Sequence, residues 1–360
     1  MKSLGFFLFA TSLLLSFVGV FILFESSTYN SLLQIGDKYY FVKFQALWVV
    51  VGSIVALIVS RIPYKKYYDL ALPILLVTIV LLVAVFFPGI GVKLKGAHRW
   101  VNGGFFLIQP SELLKISLTI YLAAWLSVKE KGRIFAFLLL LGLNIFLVIV
   151  EPDMGTAFII AASATLVYFL SGVSVKEMVL IGLLLVVGIF TLIKIEPYRL
   201  ARLTAFQSFD KKDLSSTSYH VKQVLIALGS GGATGVGFGQ SIQKYAYLPE
   251  STTDSIFAIY SEESGFVGST ILICMFLTLF LIGFLISAKT TDMFGKLLSG
   301  GIIIFIAIQT FVNLASQVVL IPLTGVPLPF ISYGGSSIII NFIAIGILLN
   351  IAQKAKISKR

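Results

Sequence analysis

The sequence predicts an all-α integral membrane protein of about ten transmembrane helices, with both termini cytoplasmic and one long extracytoplasmic loop between helices 7 and 8. Three observations support this fold class. Of the 360 residues, 58% are hydrophobic and 12% are charged, about half the charged share of a soluble domain. Apolar runs long enough to cross a bilayer as helices recur along the chain. Basic residues concentrate in alternate short loops.

Hydropathy places the ten spans at about residues 5–24, 43–61, 69–88, 110–128, 134–150, 154–173, 176–195, 255–288, 297–321 and 336–353. The first span lacks a small-residue cleavage site before "ESSTYN", so we interpret it as a retained helix rather than a signal peptide. The eighth run is too long for one straight crossing, which predicts a tilt or a start above the membrane.

Loop charge sets the predicted direction, because short cytoplasmic loops carry an excess of lysine and arginine. With the N-terminus inside, the inner segments hold Lys2, Arg61, Lys65, Lys66, Lys129, Lys131, Arg133, Lys176, Lys289, Lys296, Lys354, Lys356, Lys359 and Arg360. The outer short loops hold Lys38, Lys43, Lys93, Lys95 and Arg99. We therefore expect both termini in the cytoplasm.

Composition excludes several classes of partner. The net charge of +11 would indicate nucleic acid in a soluble protein, but here the basic loops are better explained by anionic lipid headgroups. We expect membrane lipid as a partner and no nucleic acid.

The single cysteine, Cys274, lies in an apolar run, and the histidines are His98 and His220. This inventory shows no zinc or haem site and no other cofactor motif.

We interpret residues 1–360 as a single polytopic domain whose one soluble-looking segment is the outer loop 196–254. Ordered loops of this length are usually functional. The stretch "GSGGATGVGFGQ" (229–240) looks like a phosphate cradle, but no Lys-Ser/Thr follows it and its spacing never makes GxGxxG after a strand. It predicts a turn where backbones approach closely, and a role in shaping an outer groove stays open.

Span four, "QPSELLKISLTIYL", carries charges inside the membrane. Pro110 and Ser111 are typical of a helix start. Glu112 and Lys115 are i,i+3 neighbours, so they can pair on one face. Ionisable residues within spans are costly and usually face a cavity or the bundle interior. Two interpretations remain: a structural ion pair that fixes helix packing, or direct contact with a ligand.

The motif "EPDMGTAF" lies at the outer turn between spans five and six. It contains Glu151 and Asp153, and Gly155 allows a tight turn there. Asp153 either caps the sixth helix or belongs to a site.

Basic residues of the outer loops form another candidate group: His98, Arg99, Arg199, Arg202, Lys222 and Lys244. Arginine binds phosphates in a bidentate manner, so converging cations suit a pyrophosphate. Each of them taken singly is better explained by contact with lipid headgroups, whereas the set taken together favours a phosphate site.

The stretch "YLPESTTDSIFAIYSEESGF" (247–266) gathers four of the 16 acidic residues. Its "STT" run predicts that the eighth helix begins near Thr252 or Thr253. At helical rise, Glu262, eight residues after Asp254, then lies roughly 12 Å deeper than Asp254, with Glu263 beside it. Carboxylates inside the bundle need partners or protonation.

Glu250 and Asp254 stay at the mouth of the bundle in this interpretation. Asp254 falls in the first helical turn, where the helix dipole favours the ionised form. An ionised carboxylate above a basic groove suits general-base chemistry on a hydroxyl group. The alternative for Asp254 is a plain N-terminal helix charge.

Ordered motifs identify a family. The chain contains, in order, "GAHRW…QPSELLK", "EPDMGTA", "YRLARL", "QVLIALGSGG", "GVGFGQS", "QKYAYLPE…TD…IFAI…EE.G" and "GVPLPFISYGGSS". Together they resemble the SEDS family (shape, elongation, division and sporulation) of bacterial cell-wall proteins, from about residue 90 to the C-terminus. Two of the motifs are more similar to the division branch than to the elongation branch.

The resemblance implies a peptidoglycan glycosyltransferase in the bacterial plasma (inner) membrane. Such an enzyme polymerises lipid II on the extracytoplasmic face into β-1,4-linked glycan and releases undecaprenyl pyrophosphate. A class B penicillin-binding protein and other divisome or elongasome proteins are the implied partners. A divalent cation (Mg²⁺ or Mn²⁺) bridging the pyrophosphate to Asp254 or Asp153 is compatible with this chemistry, and no spacing in the sequence demands one.

The resemblance also implies roles for single residues. The acid of the family's "TD" is Asp254, the implied catalytic base, and the family's other polar positions map onto Glu112, Lys115 and Asp153. We expect these three, Glu250 and the basic group to contact substrate. One base suffices, because pyrophosphate is a good leaving group whose charge cations stabilise.

The chain departs from the family pattern around this motif. Thr252 stands where histidine is common, Ser255 where phenylalanine is common, and Ser261 where glycine is common. The base is retained, so these departures bear on substrate fit and on activity.

Two other functions compete with the enzyme. A lipid II flippase or transporter would use the Gly/Pro-rich "PLTGVPLPFISYGGSS" at a midplane site, with Glu112 and Lys115 as gating or proton-relay groups. A non-catalytic divisome scaffold would follow if the departures at Thr252 and Ser255 disable the site. The enzyme requires a base at the outer surface, and Asp254 at the mouth favours it.

Overall fold

The computed structural model describes residues 1–94, 97–104, 106–130, 132–195, 200, 216–245 and 247–354. Residues named above that lie outside these ranges are Lys95, Lys131, Arg199, Arg202, Lys356, Lys359 and Arg360.

In the described residues the helices are α1 (Lys2–Ile35), α2 (Tyr40–Val59), α3 (Lys66–Asp69), α4 (Ala71–Ala84), α5 (Pro110–Ser127), α6 (Ile134–Val150), α7 (Met154–Leu170), α8 (Val175–Ile195), α9 (Ser216–Gly231), α10 (Ile256–Lys289), α11 (Met293–Gln317) and α12 (Gly335–Lys354). Apart from α3 and α9, each coincides with a predicted span. Six helices (α1, α2, α8, α10, α11 and α12) are long and apolar enough to cross a membrane, and α4, α6 and α7 are shorter apolar helices. The predicted helical membrane fold is therefore confirmed.

Burial identifies the centre of the bundle. In the most apolar stretches of α11 and α12, 78% of the residues are buried, against 6% in α8. A helix that is apolar on all sides and still exposed suits contact with lipid. The helices α11 and α12 therefore form the centre of the bundle.

The first helix is longer than the predicted span 5–24, because the polar stretch "ESSTYN" continues it. Hydroxyl groups in this stretch bond back to carbonyls of the preceding turn. Asn30 Nδ2 donates to Ser251 Oγ at 3.1 Å, so the polar end of α1 packs against the turn before α10. The helix ends at Gly36, whose φ of 81° is the left-handed cap that glycine favours.

Long-range contacts sort the connecting segments onto two ends of the bundle. At one end, a Cβ on Gly5 would lie 3.3 Å from that of Ala352, and the Tyr64 hydroxyl donates to Asp292 Oδ1 at 2.6 Å. The other end gathers the loop between α4 and α5, the turn before α7, the turn before α10 and residues 318–334. The loop charges predict that the first of these ends is cytoplasmic and the second extracytoplasmic.

A small antiparallel sheet, which the sequence did not predict, forms in the loop between α4 and α5. Its strands, in the order β1-β2-β3, are β1 (Gly91–Leu94), β2 (Ala97–Asn102) and β3 (Leu107–Ile108). Strands this short carry too little alternation of polar and apolar residues to be recognised. Ser336 Oγ donates to the Leu107 carbonyl at 2.8 Å, which docks the sheet on the start of α12.

Candidate functional site

Asp254 lies in the turn that precedes α10, and not in the first turn of the helix as predicted. α10 begins at Ile256, with Ser255 as its N-cap residue. The amides of Thr253 and Ser255 both donate to the Glu250 carbonyl, each at 3.1 Å. Because both amides donate to the same carbonyl, residues 250–255 form a turn. Helical hydrogen bonding begins only after this turn.

Three consecutive carbonyls of this turn accept hydrogen bonds from distant segments. The Thr252 carbonyl accepts from Tyr333 N (3.0 Å), that of Thr253 from Ser332 Oγ (2.6 Å), and that of Asp254 from Asn313 Nδ2 (3.0 Å). Backbone carbonyls away from water need such partners. The partners belong to α11 and to residues 318–334, so the centre of the bundle fixes the backbone that carries Asp254.

The carboxylate of Asp254 lies against residues 318–334. A Cβ on Gly325 would be 3.4 Å from Asp254 Oδ2, and Gly325 has a φ of 74°, which favours glycine. The first turn of α7 contacts the same stretch, since a Cβ on Gly155 would be 2.8 Å from the Thr324 carbonyl oxygen. The short stretch 324–326 therefore lies between the start of α7 and the turn of Asp254.

Asp153 is the N-cap of α7. Its Oδ1 accepts from Thr156 N at 3.0 Å and its Oδ2 from Thr156 Oγ1 at 2.9 Å. The capping interpretation is confirmed, and substrate contact by Asp153 stays a prediction.

The turn before α7 also holds a buried carboxyl group. Arg99 Nε donates to the Glu151 carbonyl at 2.9 Å, and the guanidinium also donates to the Pro152 carbonyl. Within the described chain, neither carboxylate oxygen of the fully buried Glu151 has a hydrogen-bond partner. Burial, and next the charge of Asp153, raise the pKa of Glu151 to about 9, although Arg99 lowers it. Glu151 therefore carries a proton at neutral pH.

Glu112 and Lys115 form the predicted ion pair. Lys115 Nζ donates to Glu112 Oε1 at 2.7 Å and also to Gln309 Oε1, and the lysine and glutamate side chains are 1% and 3% exposed. Gln309 Nε2 donates to the Pro327 carbonyl at 2.9 Å, which connects the pair to residues 318–334. A cavity of about 10 Å³ borders Lys115, with room for one water molecule at most. This arrangement favours the structural interpretation of the pair.

Glu262 and Glu263, whose partners the sequence did not identify, are buried against residues 241–244. Glu262 accepts from Ser241 Oγ and from two backbone amides of the same loop. Lys244 Nζ lies 3.0 Å from Glu263 Oε1 and 3.5 Å from Glu25 Oε2. Lys244, predicted to contact substrate, is thus buried between two carboxylates and joins α1 to α10. Substrate contact by Lys244 stays a prediction.

The glycine stretch packs against a break in α10 at Gly265, which has φ 65° and ψ −163°. Amides on each side donate to carbonyls on the other. A Cβ on Gly231 would lie 2.2 Å from the Ser261 carbonyl oxygen, and one on Gly235 would lie 2.0 Å from that of Glu263. No side chain fits at these positions, so the predicted close approach of backbones is confirmed.

The remaining predicted residues lie at separate places. His98 and Lys222 are exposed, and Glu250 is half-buried, with its Oε2 accepting from Thr253 Oγ1 at 2.9 Å. Arg199 and Arg202 lie outside the described residues. Convergence of these cations on a pyrophosphate therefore stays a prediction.

A resident metal ion does not fit the residues described. Over ranges 1–94, 97–104, 106–130, 132–195, 216–245 and 247–354, no group of three or more His, Cys, Asp or Glu side chains could hold one. Both carboxylate oxygens of Asp153 accept hydrogen bonds from Thr156. Any divalent cation would need the phosphates of a substrate for most of its ligands.

An apolar cavity of about 570 Å³ adjoins the start of α7. It is bounded by α6, α7, α8 and residues 321–324, and Gly155 and Thr324 lie in its wall. Apart from a few backbone and hydroxyl groups its lining is aliphatic or aromatic, which suits a hydrocarbon chain.

Several residues of the site were not identified from the sequence. Gln309 and Asn313 are buried polar residues of α11, and Glu25 is an acidic residue of α1 that pairs with Lys244. Polar residues within apolar spans are costly, and that signal could have found Gln309 and Asn313. Glu25 follows the predicted span 5–24 and carries no such signal. Ser332 and the contact of His220 with Ser255 carry no such signal.

The family model described as cell cycle protein FTSW_RODA_SPOVE matches residues 6–357. The chain is 35% identical over 351 residues to stage V sporulation protein E of Bacillus subtilis, with 96% of each chain covered. It is 36% identical over 344 residues to a probable peptidoglycan glycosyltransferase FtsW of Geobacter sulfurreducens, covering 94% of this chain and 92% of the relative.

Two solved structures have the same fold. A chain of a peptidoglycan synthase complex matches with a TM-score of 0.79 and 23% identity, covering 98% of this chain and 97% of that chain. The rod shape determining protein RodA of Thermus thermophilus matches with a TM-score of 0.69 and 24% identity, covering 98% of this chain and 96% of that chain.

Proposed function

Because the chain belongs to the FtsW/RodA/SpoVE family of cell cycle proteins, we propose that it is a peptidoglycan glycosyltransferase that polymerises lipid II. The product is a β-1,4-linked glycan, the leaving group is undecaprenyl pyrophosphate, and Asp254 is the general base. Curated relatives that bear the name of this activity cover nearly the whole chain.

The observation that carries the proposal is the fixation of Asp254. Three successive carbonyls anchor its turn to α11 and to residues 318–334. These bonds fix the backbone of the turn, and the carboxylate lies beside Gly325. A base held this firmly is preorganised for one acceptor geometry, which is how positioning accelerates a bimolecular reaction.

The chemistry needs one base and a stabilised leaving group. Asp254 takes the proton of the acceptor sugar's 4-hydroxyl as its oxygen attacks the anomeric carbon of the donor. The bond from that carbon to the pyrophosphate oxygen breaks, and inversion of an α-linked donor gives the β product. The pyrophosphate leaves without protonation, its charge stabilised by the basic residues of the outer loops.

The apolar cavity supports a lipid-linked substrate. A polyprenyl chain in the space between α6, α7 and α8 would have its pyrophosphate end near the stretch 324–326, which contacts the first turn of α7 and lies beside Asp254. A chain that stays in this apolar space keeps its hydrocarbon out of water while the sugar reaches the base.

Location and partners follow from the same proposal. We place the protein in the bacterial inner membrane with the Asp254 end facing the extracytoplasmic side, as the loop charges predict. The partner is a class B penicillin-binding protein that cross-links the glycan, with further divisome or elongasome proteins. The matching synthase complex, described as coordinating polymerization and crosslinking, supports such a pairing.

The test uses the protein purified with its penicillin-binding partner, and fluorescent lipid II. We expect Asp254→Asn to lower the polymerisation rate by about 10²- to 10⁴-fold, because general-base catalysis is lost while size is kept. The matched control is Asp69→Asn, an exposed carboxylate at the opposite end of the bundle, which we expect to retain the wild-type rate. Added EDTA reports whether a substrate-bound cation takes part.

The competing functions give different outcomes in the same preparation. Equal polymerisation by wild type and Asp254→Asn would show that Asp254 is not the base. Movement of lipid II across vesicles without polymerisation would favour the flippase. Binding of the partner with neither activity would favour the scaffold.

A further inference from the structure

The residue after Asp254 has an unusual partner. Ser255 is the N-cap of α10, yet its hydroxyl makes no capping bond to the helix, although an N-cap serine normally accepts from an amide of the first turn. Instead, Ser255 Oγ lies 2.7 Å from Nε2 of His220 on α9. Ser255 is fully buried, so this hydrogen bond satisfies a hydroxyl away from water.

The bond lies at one end of a longer contact between α9 and the start of α10. Val224 and Ala227 follow His220 on the same face of α9, at i+4 and i+7. They pack in one buried cluster with Leu248, Ala258 and Ile259. One turn further, Gly231 meets the backbone at Ser261. The helix α9 therefore runs along the first turns of α10, and His220 contacts the residue that follows Asp254.

The pair resolves the cost of burying a polar side chain beside Asp254. A buried hydroxyl is destabilising unless it is hydrogen-bonded. His220 provides that bond from a residue 35 positions away, so the two residues form a matched pair.

We propose that His220 is a positioning residue for Asp254, acting through Ser255. The hydrogen bond fixes the end of the 251–255 turn against α9, while the carbonyl bonds fix the other side of the turn against α11 and residues 318–334. Together they hold the carboxylate in its orientation toward the acceptor hydroxyl. This inference rests on the proposed glycosyltransferase function.

The experiment is a double-mutant cycle in the purified complex with its penicillin-binding partner. His220→Ala, Ser255→Ala and the double variant are compared with wild type for kcat and KM on fluorescent lipid II. We expect each single variant to lower kcat at least 10-fold with KM changed less than 2-fold, because a small misplacement of a reacting group can reduce the rate by up to about 10²-fold. The double variant should be no slower than either single variant.

Two further variants separate positioning from folding. His220→Gln keeps a nitrogen that can bond Ser255 and should recover most of the rate. Ile226→Ala changes an exposed residue of α9 and should leave the rate unchanged. Thermal unfolding of each variant identifies losses of rate that are due to misfolding. If His220→Ala does not fold, the rates of His220→Gln and Ser255→Ala are compared instead. A His220→Gln variant as slow as Ser255→Ala would then overturn the positioning role.

The outcomes distinguish this inference from the proposed function. The positioning role alone is overturned if wild type polymerises lipid II, Asp254→Asn does not, and His220→Ala is as active as wild type. If the fold-losses in kcat of the two single variants multiply in the double variant, the residues act independently and the positioning role is overturned. A change confined to KM would also overturn it. A wild type that does not polymerise, with Asp254→Asn indistinguishable from it, would overturn the proposed function and this inference with it.

Discussion

Removing Lys115 should expose how the intramembrane charges of α5 act. In Lys115→Met the side chain keeps its approximate length and loses its charge, which leaves Glu112 buried at 3% exposure without its cation. Breaking a buried ion pair on one side costs about 3–5 kcal/mol of folding free energy. The loss arises because an uncompensated carboxylate stays in a medium of low dielectric constant.

The double variant Glu112→Met/Lys115→Met should be more stable than Lys115→Met alone. It removes both charges, and buried pairs replaced by apolar residues of similar volume are often neutral in stability. Gln309 Oε1 then lacks the partner that Lys115 provided, which costs about 1–3 kcal/mol. The order of stability is therefore wild type, then the double variant, then Lys115→Met.

The assay is thermal unfolding in detergent, followed by tryptophan fluorescence, together with lipid II polymerisation below the lowest unfolding temperature. The matched control is Lys43→Met, which breaks an exposed pair in which Lys43 and Asp37 are 63% and 40% exposed. Exposed pairs contribute little, so this control should unfold as wild type does.

Two results would refute the structural interpretation of the α5 pair. Lys115→Met with wild-type stability would show that the pair does not hold α5 in place. A double variant that is stable but inactive would show that the charges contact the substrate.

The other predictions concern pH and packing. The pKa of Glu151 is raised to about 9 from about 4.3 in the unfolded chain, so its contribution to stability is complete below about pH 4.3 and is lost as pH rises toward 9. Glu151→Gln does not lose stability in this way, so the unfolding temperature of the variant should rise relative to that of wild type between pH 5 and 9. Parallel plots of unfolding temperature against pH for the two proteins would contradict a buried, protonated Glu151. A Cβ on Gly231 would lie 2.2 Å from the Ser261 carbonyl oxygen, whereas one on Gly229 meets nothing within 4 Å. We expect Gly231→Ala to lower stability by about 1–3 kcal/mol or more and Gly229→Ala to be neutral or stabilising by up to about 1 kcal/mol, measured by thermal unfolding; equal effects would contradict the close approach.

Local features of the sequence predicted much of the site. Pro110 begins α5 and Asp153 caps α7 as their sequence neighbours indicated, because capping involves residues within one helical turn. The start of α10 was predicted wrongly at Thr252 or Thr253. The hydroxyl-rich run there forms a turn on the Glu250 carbonyl, and the tertiary contacts of that turn override its capping preference.

The amino-acid sequence by itself determined the membrane-spanning helices, the pairing of Glu112 with Lys115 and the family. These predictions depend on hydropathy, on spacing within one helix and on the order of motifs. Apolar length alone predicts a helix, because in lipid the backbone must satisfy its own hydrogen bonds. Only the tertiary structure decided which side chains meet across the bundle. Lys244 with Glu25, Gln309 with Lys115, and His220 with Ser255 join segments far apart in the chain. Such contacts leave no periodic signal, because they depend on how helices pack and not on the residues beside them.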